Sequence, residues 1–127
     1  MSEGFVRGRH PIDAYGAGGF RFADMSHVGS ILATSRGIHA VAAREVSELR
    51  FESFAPLASE LAEAPGSTEL LVIGTGEKMA RLPAPLAVKL RGAGLRLEVM
   101  ATGPAARVYN VLLSENRRVA ALLLAAP

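Results

Sequence analysis

Leu70, Leu71, Val72 and Ile73 follow one another with no polar residue between them, and the run stops at Gly74. In a half-buried strand apolar and polar side chains alternate, because successive residues face opposite ways. A run that is apolar at every position needs cover on both faces, as a central strand has between two layers. Segment 68–74 (TELLVIG) is read as such a strand, 95–102 (LRLEVMAT) as a second and 119–126 (VAALLLAA) as a last one. Between them, 83–94 (PAPLAVKLRGAG) reads as a short helix, with Pro83 and Pro85 near its start, Leu86 and Leu90 on one face, and Gly92 and Gly94 closing it. Segment 103–113 (GPAARVYNVLL) reads as a second helix, with Thr102 or Gly103 at the cap and Pro104 in the first turn. Strand–helix–strand–helix–strand is the order of an α/β layer. A right-handed crossover makes strands 68–74 and 95–102 parallel. If they are neighbours, loops 74–76 and 102–104 open on one edge, where ligands of open α/β sheets bind.

The first forty-odd residues read as β structure. IDAYGAGGFRFA has a glycine-rich centre and the alternating Phe20, Arg21, Phe22; SHVGSILAT and GIHAVAA are further apolar runs. ADMS and TSRG supply turns, with Gly37 expected at positive φ. In SFAPLASELAEAPG, Ser53 is the expected helix cap and Pro56 lies in the first turn. Phe54, Leu57, Ala58, Leu61 and Ala62 share one helical face, and Pro65-Gly66 ends the element.

With 127 residues, the chain is expected to be a single domain over 1–127, with 1–9 a flexible lead-in. No apolar run approaches the roughly 20 residues of a membrane span. The N-terminus MSEGFVRGRHPID lacks an apolar segment, so no secretory signal is read there and a cytoplasmic location is expected. The absence of cysteine excludes disulfides, thiol nucleophiles and thiolate metal sites. His10, His27 and His39 have no ligand spacing, so no metal site is expected. Residues 1–76 hold 6 basic and 9 acidic side chains, net −3, whereas 77–127 hold 8 and 3, net +5. A basic half attracts a small anion or an acidic partner. It lacks the dense basic run or aromatic platform that nucleic acid calls for, so solvated surface is the plainer reading.

Gly74-Thr75-Gly76 after a buried strand resembles the start of a phosphate loop. A P-loop needs G-x-x-x-x-G-K-[ST], but Lys78 follows Glu77 and no hydroxyl residue follows it. The dinucleotide fingerprint fails at Met79, where its third glycine belongs. No cofactor is expected. The plain alternative is a tight turn that lets two loops approach closely. As a ligand site, the first loop offers Gly74, Thr75 and Gly76. The second offers Thr102, Ala105 and Ala106, with the free amides of a helix N-terminus. Arg107 and Arg118 supply charge, and Tyr109 and Asn110 lie further along the same helix. No catalytic residue is assigned. Thr75 or Thr102 lacks a credible base, and no His–carboxylate pair or paired acids lie near the loops.

YGAGGFRF, GSIL, ELLVIGTGEKMARLP and LEVMATGPAARVYNVLLSENRRVAALLL together resemble the family that includes the mitochondrial NADH:ubiquinone oxidoreductase (complex I) assembly factor 3 and the adipogenesis-associated domain protein, along with many bacterial members of unknown function. The resemblance covers about residues 10–125. Gly74, Thr75 and Gly76 match its first motif; Met100, Thr102, Ala105, Tyr109, Asn110 and Leu112 match its second; Arg117, Arg118 and Val119 match its closing R-R-V. His39 stands where many members carry tryptophan, and Asn116 replaces the usual glycine of the final turn. The resemblance implies a single three-layer α/β domain, with β structure and helices around a mixed central sheet whose last strand runs antiparallel. It implies no established catalytic activity, and a protein partner. Two functions are thus expected to compete: a non-enzymatic interaction domain, resembling a complex I assembly factor, and a small-molecule or anion-binding domain using the crevice between loops 74–77 and 102–107. A homodimer is left open.

Overall fold

The computed structural model describes residues 5–127. Its strands are β1 (Val6–Arg7), β2 (Ala14–Gly16), β3 (Gly19–Phe22), β4 (Met25–Val28), β5 (Ser30–Thr34), β6 (Gly37–Val41), β7 (Leu70–Gly74), β8 (Arg96–Met100) and β9 (Val119–Leu123). Its helices are α1 (Ala55–Glu63), α2 (Ala84–Gly92) and α3 (Thr102–Ser114), with two 3-10 turns, Val46–Glu48 and Phe51–Phe54, ahead of α1. The central sheet has the order β1-β6-β5-β9-β7-β8, and β2-β3-β4 form a separate meander. β7 lies parallel to both β8 and β9, while β9, β5, β6 and β1 pair antiparallel in succession. The last strand is therefore antiparallel to β5 on one side and parallel to β7 on the other.

Alternation along the buried strands sorts the core into two layers. Ile31, Ala33, Val72, Ala121 and Leu123 face α3 and the meander, where they meet Phe20, Phe22 and Tyr109. Leu32, Leu71, Ile73, Ala120 and Leu122 face α1 and α2, where they meet Phe54, Leu57, Leu86 and Leu90. Each of the valine, leucine, isoleucine and phenylalanine side chains among them contributes roughly 1.5–3 kcal/mol when taken fully out of water. This two-sided burial accounts for the unbroken apolar run in β7 and makes the fold three-layered.

Several local expectations change. SHVGSILAT is not one strand, because Gly29, at φ +107, breaks it between β4 and β5. The turn expected in ADMS is present, with Ala23 and Asp24 both at positive φ, the geometry of a tight hairpin turn, and β4 begins at Met25. Gly37 is not at positive φ; it opens β6 and pairs with Thr34 and Arg7. Ser53 does not cap α1, whose N-cap is Phe54. The Ser53 hydroxyl instead accepts the Arg50 N–H at 3.0 Å, one turn earlier, while Pro56 does lie in the first helical turn. The inner face of α1 carries Leu57 and also Glu60, whereas Ala62 is exposed. The N-cap of α3 is Ala101, because the Thr102 hydroxyl is used elsewhere. Of the expected flexible lead-in, residues 1–4 lie outside the described residues, and Val6 and Arg7 pair with Ile38 and Gly37.

Candidate functional site

β7 and β8 end side by side, and the two loops that follow them meet. The Thr75 N–H donates to the Met100 carbonyl at 2.8 Å, and the Thr102 N–H to the Gly76 carbonyl at 2.8 Å. The Thr102 hydroxyl accepts the Gly76 N–H at 2.9 Å and donates to the Leu124 carbonyl at 2.7 Å. The Leu124 N–H in turn donates to the Gly74 carbonyl at 2.9 Å. One buried hydroxyl thus ties the ends of β7 and β9 to the start of α3. Gly74 is required by this approach: a Cβ there would lie 2.8 Å from Thr102 Cα. Gly76, at φ +103, is required by its backbone. The Thr75 hydroxyl organises the segment that leaves the sheet, donating to the Lys78 carbonyl at 2.7 Å and accepting the Ala80 N–H at 3.0 Å.

The sequence-derived residues therefore divide into groups. Gly74, Thr75, Gly76 and Thr102 come together and are bonded to one another. Ala105 and Ala106 are buried in the core beneath α3. Tyr109 is also core; its hydroxyl donates to the His10 carbonyl at 3.3 Å, and burial pushes its pKa up to about 12, so it stays neutral. Asn110 bonds to the backbone ahead of β2. Its Oδ1 accepts the Ile12 N–H and its Nδ2 donates to the Ile12 carbonyl, both at 2.8 Å, so it clamps the chain entering β2 as a strand partner would. Arg118 is not brought to the loops. It pairs with Glu69 at the opposite end of β7, and its guanidinium holds that carboxyl below the usual carboxylate range.

Beside the joined loops, a groove of about 350 Å³ lies between β2 and α3. Tyr15, Gly103, Ala106, Arg107 and Asn110 line it. Tyr15 crosses Gly103 so closely that a Cβ there would meet its hydroxyl at 2.2 Å. Arg107 is exposed at this groove.

The sequence reading missed a second feature. His39 and Glu60 are both buried, at 7% and 3% exposure, on the α1 side of the sheet. Glu60 Oε1 accepts the Ser35 hydroxyl at 2.8 Å, while His39 Nε2 has no hydrogen-bond partner. Burial lowers the His39 pKa, and the nearby Glu60 charge opposes that shift. His39 also lines a cavity of about 450 Å³ with Arg50 and Ser53. The signal was present in the sequence: Glu60 lies three residues after Leu57 on the inner helical face. Among the described residues, no group of histidine and acidic side chains could hold a metal ion. No helix among them is long and apolar enough to cross a membrane.

Residues 12–124 match the model of a family described as "Protein of unknown function (DUF498/DUF598)". The chain belongs to the DUF498 family. An uncharacterised protein of Rhodobacter capsulatus is 46% identical over 120 residues, which are 94% of this chain and 88% of that one. The solved structure of an outer membrane protein from Bartonella henselae superposes with a TM-score of 0.88 at 44% identity, covering 96% of this chain and 99% of that one. NADH dehydrogenase [ubiquinone] 1 alpha subcomplex assembly factor 3 of Danio rerio is 41% identical over 59 residues, which are 46% of this chain and 34% of that protein. The DUF498 chain thus spans about a third of the assembly factor it matches.

Proposed function

We propose that this DUF498 chain acts as a single, non-enzymatic protein-interaction domain that serves complex assembly, as the name of its Danio rerio relative indicates for that protein. The observation that carries the reading is the state of the two candidate nucleophiles. The Thr75 and Thr102 hydroxyls each donate to a backbone carbonyl, and each also accepts a backbone N–H. Hydroxyls committed in this way hold loops together and have no proton acceptor poised to activate them. Tyr109 adds no base, since its phenol stays protonated. The test is affinity capture with chemical cross-linking from native membranes and cytoplasm, using the full chain. A specific protein partner is expected; recovery of none above background overturns the reading. The same fractionation tests the cytoplasmic location proposed here, against which stands the membrane description of the Bartonella henselae relative.

A second reading has its own support. Arg107 stands exposed beside Gly103 and Asn110 at the 350 Å³ groove, which Asp13 also lines, and its guanidinium is the charge that a small anion would meet there. A thermal-shift screen of metabolites and nucleotides tests it, because a ligand that binds the native state must raise its stability. No stabilisation across the screen, or stabilisation unchanged in Arg107→Gln, refutes it. Light scattering tests the homodimer.

A further inference from the structure

The two edges of the central sheet differ. At one end β1 has only two residues, Val6 and Arg7. At the other, β8 presents five, and among the described residues it pairs with β7 alone. The Arg96 N–H donates to the Glu69 carbonyl, and the Met100 carbonyl accepts the Thr75 N–H. Strand backbones alternate with a period of two, so Arg96, Glu98 and Met100 direct their backbone groups to β7. Leu97 and Val99 then direct theirs outward, where another strand can pair with them.

The same two residues line a groove of about 270 Å³ between β8, α2 and the segment leaving β7. Leu82 adds to its apolar floor, and Met79, 58% exposed, lies at its mouth. Arg81 and Arg91 stand at its sides, both exposed and without a carboxylate partner among the described residues. Around it, segment 77–100 holds 5 basic and 2 acidic side chains, whereas segment 1–76 is net −3. An unpaired strand edge, apolar pockets at alternate positions and unpaired guanidiniums together form the apparatus that reads an extended peptide. Charge selects its sign.

We propose that the open edge of β8 and the groove beside it dock an extended, acidic segment of a protein partner. The segment adds as a seventh strand to the sheet. Its backbone bonds to Leu97 and Val99, one apolar side chain enters the groove, and carboxylates two residues to either side, on the same strand face, meet Arg81 and Arg91. This inference rests on the interaction reading above and gives that reading a surface and a partner chemistry.

The test uses the full chain labelled with nitrogen-15. The probes are a twelve-residue peptide repeating Asp-Thr-Val-Thr, which puts Asp and Val on one strand face, its Lys-Thr-Val-Thr counterpart, and phosphatidylglycerol vesicles. The acidic peptide is expected to bind at least tenfold more tightly than the basic one and to slow hydrogen exchange at the Leu97 and Val99 amides at least tenfold. The double variant Arg81→Glu/Arg91→Glu, in which both changes are at exposed positions, should reverse the preference between the peptides. The amide spectrum of that variant confirms that it is folded. The proposal is overturned by exchange at Leu97 and Val99 that does not change at saturating peptide, or by affinities that the double variant leaves alone. Vesicle binding lost in the variant, with no peptide binding, assigns the surface to lipid and also overturns it. So does a wild-type dimer that the variant dissociates. In the cross-linking experiment, a partner captured equally by wild type and variant refutes this surface but keeps the interaction reading, whereas capture by neither refutes that reading itself.

Discussion

Thr102→Val is the most informative perturbation, because valine keeps the shape and removes only the hydroxyl. Thr102 has no exposed surface. Its Oγ1 is partner to both the Gly76 N–H and the Leu124 carbonyl, at 2.9 and 2.7 Å. The variant leaves a buried donor and a buried acceptor without those bonds. Each costs about 1–3 kcal/mol, which makes a loss of about 2–6 kcal/mol for the pair. Domains of this kind are stable by about 5–15 kcal/mol, so this is a large fraction. At roughly 4 °C per kcal/mol for a domain of this size, the thermal midpoint should fall by about 8–24 °C. Urea unfolding should show the midpoint lowered with the slope unchanged. Thr102→Ser keeps both bonds and loses a methyl group, at a cost of about 1 kcal/mol. If Thr102→Val stays within about 0.5 kcal/mol of wild type, or if Thr102→Ser is as damaging, the hydroxyl is not the tie described here. A stable Thr102→Val that lost ligand-dependent stabilisation would instead place the residue in a binding site.

Gly74→Ala should destabilise by about 1–3 kcal/mol by equilibrium denaturation, since the new methyl meets backbone at 2.8 Å rather than a flexible side chain. Asn116 sits at φ +59, so Asn116→Ala should cost about 1 kcal/mol while Asn116→Gly stays within about 0.5 kcal/mol. His39 has its pKa lowered by burial, so below about pH 6.5 the unfolded chain takes a proton that the folded chain does not. Stability should therefore decline as pH falls from about 6.5 through the folded-state value, and His39→Gln should flatten that decline in urea titrations between pH 7.5 and 5.

The sequence made the α/β half legible because its strands are buried on both faces. An apolar run as short as Leu70–Gly74 has few other places to go, and the prolines and glycines around α2 and α3 mark where the chain must turn. The N-terminal half was less legible. There the turn expected in ADMS is present at Ala23 and Asp24, but Gly37 does not take the expected positive φ and Gly29 divides the run SHVGSILAT, which reads as one strand. The loop pair 74–76 and 102–104 was correctly brought together by the crossover rule. That its threonines bond to backbone rather than facing a ligand depends on side-chain direction, which no spacing rule supplies. Glu60 could be read onto the inner face of α1, but its closeness to His39 could not, because the two come from a helix and a strand about twenty residues apart and only packing brings them to one side of the sheet.

β9 lies between β5 and β7, and among the described residues no other strand joins the two halves of the central sheet. Until residues 119–123 are in place, β1-β6-β5 and β7-β8 are separate ribbons, each with an unpaired apolar strand at its inner edge. Five residues late in the chain therefore act as the keystone. During synthesis the ribosome must release Leu123 before either ribbon can bury that edge, so the interval in which both stand open is set by the time taken to translate and thread α3 and β9.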